Sequence, residues 1–142
     1  MLRYWLGFNK VPGIGAKRLR ALLDVFGDIQ SAWAASSLDL IEAGLDRRSL
    51  KNLLRLRGEL DLEEELQRVQ AAGITTLTWE DDSYPANLRQ IDAPPPVLFV
   101  RGELLVEDEW AIAVVGTRRA TVYGREVALR LSTDLARLAS PL

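Results

Sequence analysis

Along the 142-residue chain the spacing of apolar positions changes partway. Through residue 72 they recur every three or four residues, a single stripe per segment, which is the period of amphipathic helices. The pattern predicts helices over Leu2–Phe8, Ala16–Phe26, Ile29–Ala35, Leu38–Ala43, Arg47–Leu56 and Asp61–Ala72. Their inward positions are Leu19, Leu22, Leu23 and Phe26, then Trp33, then Leu50, Leu53 and Leu54, then Leu62, Leu66 and Val69. Asp28, Ser37 and Asp46 stand where an N-cap accepts the first free N–H groups, and Gly27, Gly44 and Gly73 stand where helices stop.

Beyond Gly73 the period shortens. Thr75–Trp79 and Val97–Arg101 read as strands, separated by a turn at 81–85, one or two helical turns over Ala86–Ile91, and Pro94–Pro96, which forms a rigid extended entry. Ala111–Val115 is an unbroken apolar run, the pattern of a strand covered on both faces in a parallel sheet. Gly116 then permits a sharp turn, and Thr121 caps a helix to about Ala139 with Val127, Leu131, Leu135 and Leu138 on one face. Strand, glycine turn and helix N-terminus together offer free N–H groups and a positive dipole end to an anion, and Arg118 and Arg119 lie in that turn. The candidate phosphate site is Gly116, Thr117, Arg118, Arg119, Thr121, Tyr123 and Gly124. The alternative is a solvated turn, with Tyr123 packed under it instead of stacking on a base. No second glycine follows Gly116 until Gly124, so the dinucleotide fingerprint is missing.

A second candidate lies near the N-terminus. Val11–Leu19 reads V-P-G-I-G-A-K-R-L and resembles the hairpin of helix-hairpin-helix modules. There Gly13 and Gly15 would let the backbone approach a phosphate while Lys17, Arg18 and Arg20 add charge. The consensus has a small residue where Leu19 stands, and the hairpin could equally serve only to join two helices. Arg47, Arg48, Lys51, Arg55 and Arg57 form a basic stripe on the helix that starts at Arg47, either solvated or an extension of the hairpin's charge.

Composition narrows the chemistry. Cysteine and histidine are both absent, which removes disulfides, Cys/His zinc sites, thiol nucleophiles and imidazole acid–base catalysis. The acidic clusters Glu80–Asp82 and Glu107–Glu109 sit in polar turns and read as solvated, with no metal site and no cofactor expected. No apolar run approaches a membrane span and no signal peptide is seen, so a cytoplasmic protein is expected. The net charge of −2 hides segregation: residues 1–57 carry ten Lys/Arg against five Asp/Glu, residues 58–115 three against thirteen, and residues 116–142 five against two. Two basic ends flank an acidic middle, and local sign decides where a polyanion is steered.

Two blocks together carry a family resemblance. V-V-G-T-R-R-A-T-V-Y-G at 114–124, preceded by Y-P-A-N-L-R-Q-I-D-A-P-P-P-V-L-F-V-R-G at 84–102, resembles the DNA-processing protein A (DprA/Smf) family. The resemblance implies a non-enzymatic protein of natural transformation that binds and protects incoming single-stranded DNA and helps load the RecA recombinase. It implies an α/β architecture: a small helical, sterile-alpha-motif-like or helix-hairpin-helix domain over residues 1–72, and over residues 73–142 the start of a Rossmann-like parallel sheet, truncated. By resemblance Arg118 is the first choice for a DNA contact. Two other readings stay open: a nucleotide-binding Rossmann-like enzyme, and an interaction fragment without DNA binding of its own. An interior strand at Ala111–Val115 lacking its neighbours would leave an edge that templates another copy, so a homodimer is expected.

Overall fold

The computed structural model describes residues 1–105 and 111–139. The chain divides into two compact units, residues 1–109 and 110–142. The first holds α1 (Leu2–Asn9), α2 (Ala16–Phe26), α3 (Ile29–Ala34), α4 (Ser37–Glu42), α5 (Arg47–Glu59), α6 (Leu62–Ala71), β1 (Thr75–Thr78), α7 (Ala86–Arg89) and β2 (Val97–Val100). The second holds α8 (Val122–Ala139).

Local capping sets most of these boundaries. The Asp28 carboxylate accepts the N–H groups of Gln30 at 2.9 Å and Ser31 at 2.8 Å. Asp46 does the same for Arg48 and Ser49, both at 3.0 Å, and Asp61 for Glu63 at 2.8 Å and Glu64 at 3.1 Å. Each satisfies donors that open a helix and have no carbonyl behind them. The cap of α4 is Ser36, one residue ahead of the expected Ser37, with its hydroxyl accepting the Asp39 N–H at 3.2 Å. At its far end α5 runs on to Glu59, three residues past the apolar periodicity, and Arg55 pairs with Glu59 one turn later at 2.6 Å.

Trp5, Phe8, Leu19, Leu22, Ile29, Leu40 and Leu53 are almost fully buried and form the centre of the first unit. Phe8 meets the edge of Trp33 at 5.1 Å and 87°, a favoured aromatic geometry. Leu19, where the hairpin consensus prefers a small residue, is 1% exposed and is a core side chain. Two α5 positions differ from the stripe: Leu54 is 41% exposed, whereas Arg57 is half-buried. Arg57 donates to the carbonyls of Ala35 at 2.8 Å and Ala32 at 3.0 Å and lies over Trp33 at 5.7 Å. The end of α3 offers carbonyls that a guanidinium can reach and a leucine cannot satisfy.

β1 and β2 pair antiparallel, with Thr75 opposite Val100 and Thr78 opposite Val97. Val97 belongs to the same buried cluster as the helices, so the two strands sit on the bundle. A single antiparallel pair replaces the expected start of a parallel sheet among the described residues. The expected strand at Ala111–Val115 is absent: these residues carry no ladder, and Ile112, Val114 and Val115 are 69%, 42% and 88% exposed. A short β-branched run takes strand form from the neighbours it pairs with, and among the described residues it has none.

Candidate nucleic-acid interface

In the second unit, Arg118 and Arg119 form a turn that leads into α8. Thr121 caps the helix as its sequence position predicts: its hydroxyl accepts the Gly124 N–H at 3.0 Å and its carbonyl accepts the Arg125 N–H at 3.1 Å. The N–H groups of Val122 and Tyr123 precede any helical carbonyl that could receive them, so the helix opens with donors that have no intrahelical acceptor. Residues 116–119, Thr121 and Tyr123 are exposed, Tyr123 by 76%. Neither arginine makes an ion pair among the described residues, and the nearest one in the helix joins Arg137 to Asp134 at 3.9 Å. Tyr123 is therefore not packed beneath the turn.

Gly116 departs from its expected role. Its φ lies outside the left-handed region, and a Cβ there would meet nothing within 4 Å. The sharp turn therefore does not require glycine at this position. What glycine leaves is open space beside the backbone. Gly124 is the tighter position, since a Cβ there would lie 3.3 Å from the Thr121 hydroxyl oxygen.

The N-terminal hairpin, in the first unit, has different chemistry. Gly13 has φ of +96°, and a Cβ there would lie 2.6 Å from the Ser49 hydroxyl, so glycine is required twice over. Asn52 donates to the Pro12 carbonyl at 2.8 Å. Gly15 caps α2 with extended backbone and no side-chain hydrogen bond, leaving the first N–H groups of α2 open. Lys17 beside them is exposed, with no ion pair among the described residues. Arg18, although exposed, is engaged by the fold: it pairs with Asp46 at 2.7 Å, donates to the Ser49 hydroxyl at 3.3 Å and donates to the Gly13 carbonyl. Hydrogen bonds from the Ser49 N–H and hydroxyl, with Arg18 nearby, hold the Asp46 carboxyl below its ordinary range. Arg20 lies over the Trp79 ring at 5.0 Å. Of the basic stripe, Arg47, Arg48 and Lys51 are exposed, Arg55 pairs with Glu59, and Arg57 serves α3.

Two clusters were not read from the sequence as sites. Tyr84, 2% exposed, donates to the Pro95 carbonyl at 2.8 Å, and burial pushes its phenol up from the ordinary value. Arg89 stacks on Tyr84 at 5.1 Å and donates to the carbonyls of Trp79, at 2.7 Å, and Asp81. The Y-P-A-N-L-R block thus ties the connection between the strands to both of their ends. Asp81 accepts the N–H and hydroxyl of Thr78 at 2.6 and 2.7 Å, and Glu80 accepts the Trp5 indole at 3.3 Å, so these carboxylates are structural. Glu107–Glu109 lie outside the described residues. The second cluster centres on Glu65, a buried acid held by Lys10 and Arg68. An open groove of about 760 Å³ runs beside the strands, walled by Leu77, Tyr84, Leu88, Val100 and Leu104.

Residues 75–140, which include the Tyr84 block and the whole Arg118 turn, match the protein family described as DNA recombination-mediator protein A. Protein Smf of Synechocystis sp. is 30% identical over 139 residues, covering 94% of this chain and 35% of that protein. The chain belongs to the DprA/Smf family. The DNA processing protein DprA of Bacillus subtilis is 38% identical over 78 residues, 51% of this chain and 26% of its own length. A putative DNA processing protein DprA of Mycobacterium tuberculosis is 28% identical over 148 residues, 94% of this chain and 36% of its own. The chain thus spans about a third or less of the length of these relatives. No solved structure matches it. No helix among the described residues is long and apolar enough to cross a membrane.

Proposed function

We propose that this DprA/Smf chain is a non-enzymatic, cytoplasmic single-stranded DNA-binding protein of DNA processing, working in natural transformation to protect incoming DNA and help load RecA. The observation that carries the reading is the turn ahead of α8. Two exposed arginines without an ion pair among the described residues stand beside a helix start whose first N–H groups have no carbonyl behind them, and this lies within the segment matching a recombination-mediator family. Gly116, Thr117, Arg118, Arg119, Thr121 and Gly124 would hold the sugar–phosphate backbone, and exposed Tyr123 would stack on a base, a contact worth about 1–3 kcal/mol. Backbone contacts of this kind carry no base information, so binding should be indifferent to sequence.

The N-terminal hairpin is a secondary contact in this reading, and its members are unequal. Lys17 and the backbone at Gly13 and Gly15 are exposed, whereas Arg18 and Arg20 would have to leave Asp46 and Trp79 to reach a phosphate. Residues 1–72 would be the helical domain, and residues from 73 onward the first part of a Rossmann-like domain with a parallel sheet. The family match that starts at residue 75 supports that division. The exposed apolar residues of 112–115 support self-association as a homodimer.

The test is a mobility-shift competition with a labelled single strand. Single-stranded competitor should displace the probe far better than duplex or mononucleotide. Displacement by mononucleotide at comparable concentration would favour a nucleotide-binding enzyme, and no shift at low salt would favour an interaction fragment.

A further inference from the structure

Arg20 lies on the exposed side of α2, but its surroundings are not those of a phosphate contact. Its guanidinium carbon is 5.0 Å from the centre of the Trp79 ring, at the end of β1. Trp79 is set edge-on against Trp5 at 5.6 Å and 78°, and Trp5, 1% exposed, donates its indole N–H to Glu80. A chain of contacts therefore runs from α2 through the strand end to α1. Lys17, Asp24 and Asp92 line the same small cleft as Arg20, so two carboxylates balance its two cationic side chains. Pro94 in the wall of that cleft is fully buried, and Val97 beyond it joins the helical core.

We propose that Arg20 stacked on Trp79 is a latch that fastens the helical bundle to the β1–β2 hairpin, and that it stays on the ring when DNA is held. Arginine suits this position because a planar guanidinium can lie flat on an indole while its long stem covers apolar surface. The latch makes the bundle and the strands one body and keeps the hairpin at Pro12–Gly15 at a fixed place relative to the strands. This goes beyond the DNA-binding reading and rests on it only for the DNA arm of the test.

Arg20→Ala, Arg20→Lys, Trp79→Leu and the double variant Arg20→Ala/Trp79→Leu, each in the full chain, test the latch. In the wild type the Arg20 Hδ protons should be shifted upfield by the indole ring, and Trp79→Leu should remove that shift. Arg20→Ala should lower the thermal midpoint by roughly 2–6 °C, Arg20→Lys should recover part of the loss, and the double variant should be little worse than Trp79→Leu alone. With an oligo-dT strand bound, the Arg20 Hδ protons should keep their upfield shift, and its loss on binding would overturn the proposal. An unshifted Arg20 Hδ signal, or losses that add in the double variant, would overturn the proposal. So would an unchanged midpoint in Arg20→Ala with the slope of log K for oligo-dT against log salt reduced by about 0.7, since that marks a phosphate contact. If no variant or wild type binds oligo-dT, the DNA-binding reading fails while the proton shift and the double variant still decide the latch. Should Trp79→Leu fail to fold, the wild-type Hδ shift decides the latch together with the midpoints of Arg20→Ala and Arg20→Lys.

Discussion

Arg18 and Arg118 each follow a glycine closely and stand near the start of a helix, yet their chemistry is opposite. Arg18 is held by Asp46, Ser49 and the Gly13 carbonyl, so it closes the hairpin on α5. Arg118 is exposed in a turn with no ion pair among the described residues. Sequence spacing places both beside a glycine turn but cannot show which has a carboxylate waiting across the fold, because Asp46 is 28 positions from Arg18 in the chain. The same limit explains Leu54 and Arg57: periodicity orders side chains around α5, while the carbonyls of Ala32 and Ala35 that recruit Arg57 come from another helix. The need for Gly13, in contrast, was legible in P-G-I-G and has two physical causes, its positive φ and the Ser49 hydroxyl. Gly13→Ala should therefore destabilise the first unit by about 1–3 kcal/mol in urea unfolding. Gly15→Ala, with extended backbone and open space at the site, should cost clearly less. Equal losses would mean that the hairpin backbone is not fixed as described.

Helix elements were the most legible, because their signals are local. Asp28, Asp46 and Thr121 cap the helices their positions predict, each by a contact within three residues, whereas Ser36 replaces the expected Ser37 and Asp61 caps a helix it was expected to begin. Ala111–Val115 failed for the converse reason: a strand is defined by its neighbours, and composition cannot supply them. Capping also gives a pH dependence. The Ser31 hydroxyl and N–H hold the Asp28 carboxyl below its ordinary range, and the Ser49 N–H and hydroxyl do so for Asp46. A carboxyl whose folded value is lowered stabilises the fold fully above the unfolded value near 4, and that contribution is lost as pH falls through the folded value. The thermal midpoint of the wild type should thus fall below about pH 4. In Asp28→Asn/Asp46→Asn, whose amides still accept at the N-cap without titrating, that part of the decline should be smaller. Identical acid limbs in the two proteins would assign the pH dependence to other groups.

At the scale of the whole molecule, the exposed apolar surface has the clearest consequence. Val115 is 88% exposed, Ile112 69%, and along α8 Val122, Leu129 and Leu138 are 76%, 71% and 84% exposed. Light scattering at micromolar concentration should give a mass above that of one chain that rises with concentration, and Val115→Lys should lower it. A monomer at all concentrations would show that these residues are covered within a single chain. The division of charge, with basic ends around an acidic middle, was legible in the sequence and remains the basis for expecting a polyanion partner. The central claim is that the turn at Arg118 is a formed phosphate site, and the salt dependence of oligo-dT binding tests it most directly, measured by fluorescence anisotropy for the wild type, Arg118→Ala and Arg47→Ala. The wild type should lose affinity steeply with salt, Arg118→Ala should weaken binding and flatten the slope by about 0.7, and Arg47→Ala, on an exposed helix face where charge is screened, should change both less. Equal effects from the two substitutions, or an affinity indifferent to salt, would contradict it.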